Sequence, residues 1–284
     1  MEVKGHKNVR VVDIIEVMEG VAPSRLAEEW DNCGLQVGHL HWAVDKIWIA
    51  LDPLPSVIQA AVQNRVDLVI SHHPLIFKPL KSIDLETVVG QTIETALKNK
   101  TAIYAAHTNL DSAQGGINDL LARKIGLTDL TSLMPPPAYN GENTAGGSDD
   151  HTIGLGRIGR LDKPLRLEKL ALQIKAGLNL KGVKVAGKLK EKVSSVAVCS
   201  GSGGGLLNAF LSSGAEVFVT GDLKYHDAIM VENAGRALID VGHFASEHLI
   251  VDPLAQRLAS VMQSRGWPIK IEACPLERDP FEQI

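Results

Sequence analysis

Apolar positions recur along the chain in two rhythms. Over residues 11–19, 55–65, 85–100 and 116–126 they fall three and four apart, the spacing that predicts amphipathic helices. Between these lie short apolar runs, KIWIAL at 46–51, DLVIS at 67–71 and TAIYAA at 101–106, which read as buried strands. The second half repeats the alternation. Helices are predicted over 165–178, 206–213, 224–233 and 246–265, and strands over 195–199, 216–220, 237–241 and 268–273. Strands alternating with helices predict βαβ units, hence an α/β fold with largely parallel sheets. Between the halves, the stretch 134–150 reads MPPPAYNGENTAGGSDD, with three prolines, three glycines and no periodicity. Two domains, 1–133 and 151–284, joined by a Pro/Gly-rich linker at 134–150, are the expected organisation.

Composition narrows the class. The 284 residues are 45% hydrophobic and 22% charged, as in a folded globular protein, so global disorder is excluded. Twenty-nine Lys and Arg against 33 Asp and Glu give a net charge of −4, which argues against a dedicated nucleic-acid binder. No apolar run approaches the roughly 18 residues that cross a bilayer. The opening residues, MEVKGHK, lack the apolar core of a secretory signal. Three scattered cysteines, Cys33, Cys199 and Cys274, are too few for a disulfide framework and predict reduced thiols in the cytoplasm.

The histidines carry more information. Ser71-His72-His73-Pro74 directly follows the strand DLVIS, and His107-Thr108-Asn109-Leu110-Asp111 follows the strand at 101–106. Gly221-Asp222-Leu223-Lys224-Tyr225-His226 and Gly242-His243-Phe244-Ala245-Ser246-Glu247-His248 each follow a strand of the second half. Open α/β sheets bind ligands beyond the carboxyl ends of their strands. Imidazoles and carboxylates gathered there are costly unless paired or bound to a metal. Donors of N and O type without Cys suit a borderline or hard ion such as Fe, Zn or Mn. His243 and Glu247 are four apart, so on a helix both reach one ion. Adjacent side chains on a regular strand face opposite ways, so His72 and His73 converge only if the chain turns near Pro74. Each group also suits a plainer role. Asn109, Asp111 or Asp222 can cap a helix, as can Ser246, with Glu247 complementing the helix dipole. Asp222 and His226, again four apart, are candidates to orient a ligand. His248 points elsewhere on such a helix.

Two glycine patterns complete the inventory. Gly154-Leu155-Gly156-Arg157-Ile158-Gly159 fits GxGxxG, but no strand precedes it and Pro164 sits where the helix should run. An edge strand or a bulge is the expected reading. The loop 199–205, CSGSGGG, lies between a strand and a helix. It suits either an anion at the helix start or a tight turn with close packing, and it lacks the lysine of a P-loop. Cys199 reads as buried.

Taken in order, SHHP, HTNLD, TGDLKYHDA and GHFASEH, with EEWDNCGLQVG at 28–38, resemble the Nif-three-like dinuclear metal-centre family, the GTP cyclohydrolase 1 type 2 homologues. The resemblance spans nearly the whole chain. It implies two interlinked α/β domains, a toroidal homohexamer and two divalent metal ions per chain. The ligands it implies are His72, His73, Asp111, His243 and Glu247, with Glu247 bridging and with His107 and His226 lining the cavity. Some members carry an inserted middle domain; here only the linker stands in its place, so the chain resembles the short form.

The expected function is that of a metal-dependent hydrolase. Two ions would acidify a water that attacks a nucleotide ring or a phosphoester. His107 and His226 are the candidate catalytic residues, as proton shuttles. A non-catalytic metal-binding or regulatory protein is the alternative, favoured by a site with no open coordination position.

Overall fold

A computed structural model describes residues 8–136 and 152–282. Residues 137–150 of the expected linker lie outside the described residues. The chain forms two compact units, each with its own sheet. The first comprises Met1–Leu110 and Ile250–Arg278, the second Asp111–Leu249 and Asp279–Ile284.

In the first unit the strand order is Gly34–Val37, Ala102–Ala105, Leu68–Ser71, Lys46–Ala50, Lys270–Ala273. Gly34–Val37 is antiparallel to its neighbour and the other pairings are parallel. Parallel strands are buried on both faces, which is why LVIS and AIYA read as unbroken apolar runs. Trp48, Val69 and Ile103 are register partners across the sheet, and helices Pro55–Gln63 and Val88–Asn99 add Val57, Ile58, Ile93 and Ala96 to the same core. Thr87 caps the second of these helices by accepting the Gly90 N–H at 3.1 Å.

In the second unit the order is Leu127–Met134, Leu155–Arg166, Lys192–Ser202, Val217–Gly221, Ala237–Asp240, Lys184–Ala186. The central trio beginning at Lys192–Ser202 is parallel, and the flanking pairings are antiparallel. Residues alternate between the two faces. Val196, Val198, Val217, Val219 and Ile239 face one core, while Ala197, Cys199, Phe218 and Leu238 face another with Phe210.

The fold class is therefore the expected α/β, mixed in both sheets. The units do not divide at 134–150. The strands on either side of that stretch, Leu127–Met134 and Leu155–Arg166, pair with each other, so they belong to one sheet. The chain instead leaves the first unit after Leu110 and returns to it at Ile250, because its last strand pairs with Lys46–Ala50. The predicted helix over 246–265 is two helices, His243–Glu247 and Val251–Arg265, with a 3-10 turn His248–Ile250 between them. Pro253 has no N–H to donate and fits only the first turn of a helix, so a fresh helix begins there. No helix among the described residues is long and apolar enough to cross a membrane.

Candidate metal centre

In the first unit, three neighbouring parallel strands end together and deliver their next residues to one place. Ser71 pairs with Ala50 on one side and Ala105 on the other. Beyond these ends lie Asp52, then His72 and His73, then His107. The chain bends directly after Ser71, with His72 N donating to Ala50 O and His73 N to Leu51 O. The bend overrides strand alternation, and the His72 and His73 rings lie 5.0 Å apart. His107 stands 5.0 Å from His72 and 5.6 Å from His73. One ring nitrogen from each of the three falls within 4.8 Å of the others.

The orientations of these rings follow from what they touch. His72 Nδ1 lies 2.9 Å from Ala106 O, His73 Nδ1 2.8 Å from Asp52 Oδ1, and His107 Nδ1 2.9 Å from Asp31 Oδ1. Carbonyl and carboxylate oxygens accept, so each Nδ1 donates and the Nε2 edge of each ring is turned away from that acceptor. Three imidazoles that each bring a ring nitrogen into one small volume are a donor set that fits a divalent metal ion.

Asp31 does more than orient His107. Its carboxylate also accepts from Thr108 N at 3.0 Å, Thr108 Oγ1 at 2.5 Å and Cys33 Sγ at 3.0 Å. Burial alone would raise its pKa, but the hydrogen bonds from His107, Thr108 and Cys33 outweigh burial and hold it well below the ordinary carboxylate range. Cys33 moves the other way. Burial and the adjacent Asp31 push its thiol up to about 12, so it stays a neutral donor to Asp31 and to Asn109 Oδ1.

In the second unit, the strand Lys192–Ser202 lies against two of the expected ligands, Asp111 and Glu247. Ser200 Oγ donates to Asp111 Oδ1 at 2.9 Å, and Asn118 locks this corner by accepting from Ser200 N and donating to Asp111 O. The next residue, Gly201, lies against Glu247. Glu247 is 3% exposed, and its Oε2 lies 2.9 Å from His243 Nε2. His243 Nδ1 lies 2.7 Å from Asp222 Oδ2, the same carboxylate–imidazole arrangement that His73 and His107 show.

The plainer roles are resolved by the same contacts. Glu247 is the last residue of its short helix, where the dipole does not favour a negative charge. Ser246 is no cap: its hydroxyl donates back to Gly242 O and His243 O and accepts from Gly201 N. Asp222 precedes the helix Tyr225–Asn233, whose cap is Lys224, so the expected four-residue relation to His226 does not form. His226 is exposed, with its ring 5.3 Å from that of Tyr225. His248 stacks on Phe244 at 4.6 Å.

The glycine patterns prove structural. In 199–205, a Cβ on Gly203 would fall 2.2 Å from Thr220 Oγ1, and one on Gly201 still closer to Glu247. Close packing accounts for this loop. All of the GxGxxG stretch but Gly154 lies in the strand Leu155–Arg166, paired on both sides rather than at an edge, with a register shift between Arg160 and Leu165 that accommodates Pro164.

Three residues were not assigned a role in the sequence. Asp52 follows a strand end just as His72 and His107 do, and the same rule would have found it. Asp31 and Cys33 lie in EEWDNCGLQVG, but nothing in one dimension links them to His107, 76 residues from Asp31.

The chain matches the profile of Duf34/NIF3 (NGG1p interacting factor 3) over residues 9–280. It is 31% identical over 276 residues to a GTP cyclohydrolase 1 type 2 homolog from Clostridium perfringens, covering 97% of this chain and 100% of the relative. The alignment with the Bacillus subtilis protein of the same name, 29% identical, runs to 369 residues, more than this chain contains, so that relative carries additional residues. A solved structure, the Bacillus cereus protein related to NIF3, superposes with a TM-score of 0.88 at 30% identity, covering 98% of this chain and 100% of that one.

Proposed function

The chain belongs to the Duf34/NIF3 family, and from that membership and its oriented histidines we propose that it is a dinuclear metal-binding protein working as a metal-dependent hydrolase. The observation that carries this reading is a repeated one. His72, His73, His107 and His243 each have Nδ1 at 2.7–2.9 Å from an oxygen acceptor, so each ring is turned with its Nε2 edge away from that oxygen. Surface histidines have no reason to share one orientation. The proposed ligands are His72, His73, Asp111, His243 and Glu247, with His107 beside the first two. Their chemistry suits Fe, Zn or Mn. When bound, such ions would acidify a water and polarise a substrate oxygen.

The protein's own groups then have defined tasks. Asp52, Asp31 and Asp222 hold the imidazoles in register. His107, backed by a carboxylate, is suited to moving a proton at its Nε2. His226 stands exposed on its helix and is the weaker candidate for that task. The substrate class is a small nucleotide or phosphoester, in keeping with the name of the curated relatives. We further propose a homohexamer, as the sequence resemblance implies, and a cytoplasmic location, where three free cysteines stay reduced.

The test is metal analysis of protein purified without chelator, followed by turnover of GTP, cyclic dinucleotides and simple phosphodiesters. About two equivalents of metal and turnover lost on chelation support the reading. Bound metal with no turnover across the panel would leave a non-catalytic metal-binding protein. A chain that cannot be loaded with metal overturns both.

A further inference from the structure

Two large aromatic side chains beside the histidine cluster are exposed. Trp30 is 58% and Phe77 51% accessible. Their ring centroids are 5.9 Å apart at 57°, and both approach His107 edge-on, at 6.1 Å for Trp30 and 6.4 Å for Phe77. A single exposed ring is ordinary, but two in contact beside a histidine cluster form an apolar patch.

These rings are also held. Asn32 Nδ2 donates to Ile76 O at 2.7 Å, and Ile76 N donates to Gln36 Oε1 at 3.2 Å. The segment bearing Trp30 thus fastens both polar groups of the residue before Phe77. Directly after Trp30, Asp31 grips His107 and Thr108. One short segment therefore orients a proposed metal-site histidine through Asp31 and sets an exposed indole next to it. Rigid rings held open in this way lose little freedom on binding, which suits them to stacking against a planar partner.

We infer that Trp30 and Phe77 form a stacking subsite for a planar heteroaromatic ring, such as a nucleobase, on a ligand seated at His72, His73 and His107. This deepens the proposed function and rests on it for the identity of the neighbouring site. The pair would select ligands by their ring and position the remainder toward the histidines. Neither residue is placed in the chemistry itself.

The experiment is calorimetric titration of the metal-loaded protein with guanosine 5′-monophosphate and with ribose 5-phosphate, which share the phosphoribosyl group and differ by the ring. The nucleotide should bind at least about 10-fold more tightly. Trp30→Ala and Phe77→Ala should each weaken it about 5- to 100-fold, the range of one stacked base, and leave ribose 5-phosphate and metal content unchanged. Trp30→Phe and Phe77→Tyr, which keep a ring, should retain most of the affinity and so guard against misfolding of the alanine variants. Equal binding of the two ligands, or alanine variants that bind like wild type, would overturn the subsite. So would alanine variants that change the mass by light scattering without changing ring discrimination, since the pair would then meet a second copy. A chain that discriminates the ring after chelation and never takes up metal would overturn the metal reading and leave the subsite standing.

Discussion

The carboxylate of Glu247 fills the space where a side chain on Gly201 would be. An ideal Cβ on Gly201 would fall 2.0 Å from Glu247 Oε1 and 3.3 Å from His243 Nε2. Oε1 is the mobile end of its side chain, so an added methyl moves the carboxylate rather than breaking the fold. Gly201 also has φ of +62°, which costs a residue with a Cβ about 1–2 kcal/mol. Gly201→Ala should therefore lose that much stability and, in addition, bind metal less well. Gly235→Ala is the matched control, with φ of +68° and nothing within 4 Å of its Cβ. It should lose similar stability and keep wild-type metal content. Equal metal content in the two variants would remove Gly201 from the site.

Stoichiometry separates a bridging carboxylate from an ordinary ligand. Glu247→Gln keeps the size of the side chain and loses its charge. If Glu247 serves two ions, elemental analysis should find both depleted in Glu247→Gln and about one retained in His73→Ala. Two ions retained in Glu247→Gln would exclude it as a bridge.

Asp222 sets up a test in which stability and metal affinity part company. It has φ of +56°, unusual for a residue with a side chain, and its carboxylate holds His243 Nδ1. Strain of this kind persists where a function needs it. Asp222→Gly relieves the backbone and removes the acceptor. The melting temperature should stay level or rise slightly, while metal affinity falls about 10- to 100-fold, the usual effect of losing a group that orients a ligand. A lower melting temperature with unchanged affinity would make Asp222 merely structural.

Many of the candidate residues are legible in the sequence because, within each unit, parallel strands present their ends along one edge of the sheet. Each of the four histidine segments follows a buried strand, and that rule alone selects His72, His107, Asp222 and His243. The carboxylates behind them are less legible. Asp31 reaches His107 from a stretch with no regular periodicity, and that contact exists only in three dimensions. The strand Leu127–Met134, and the interior position and full length of Leu155–Arg166, are less legible for a related reason. Both strands are antiparallel to their neighbours and half-exposed, with glycines and polar residues that blur the apolar pattern. The division into units was hidden because the final strand pairs with one more than two hundred residues away.

Acid sensitivity can be assigned to Glu272. Hydrogen bonds from Lys270 and Lys46, at 2.5 and 2.9 Å, hold its pKa at about 2, against an ordinary value of 4.5. A lowered folded-state pKa supplies stability that is complete above 4.5 and is lost as pH falls toward about 2. The group is partly exposed, so its contribution is that of a surface network, about 0.2–1 kcal/mol. Glu272→Gln should melt below wild type at pH 7, and the gap should close between pH 4.5 and 2. A gap that is constant with pH would place the effect in packing rather than charge.

Arg157, the fourth residue of the GxGxxG stretch, explains that motif without a nucleotide. It is fully buried and paired with Asp119, itself 2% exposed. Its guanidinium also donates to Gly154 O at 2.6 Å, Gly156 O at 2.8 Å and Ala113 O at 3.0 Å. The glycines allow close strand packing, since a Cβ would press on Met134 at Gly154, on Val198 and Leu133 at Gly156 and on Leu127 at Gly159, and the first two lend Arg157 their carbonyls. Arg157→Ala would strand the Asp119 carboxylate in the interior, and such losses cost about 3–5 kcal/mol. Arg157→Met combined with Asp119→Leu removes both charges and keeps much of the volume, so it should recover most of that stability. Chemical denaturation of wild type, single and double variants reads this directly. A double variant as unstable as Arg157→Ala would show that the three carbonyl hydrogen bonds, rather than the ion pair, hold this corner. A dinucleotide reading of the motif predicts instead that Arg157→Ala loses a ligand and keeps its stability.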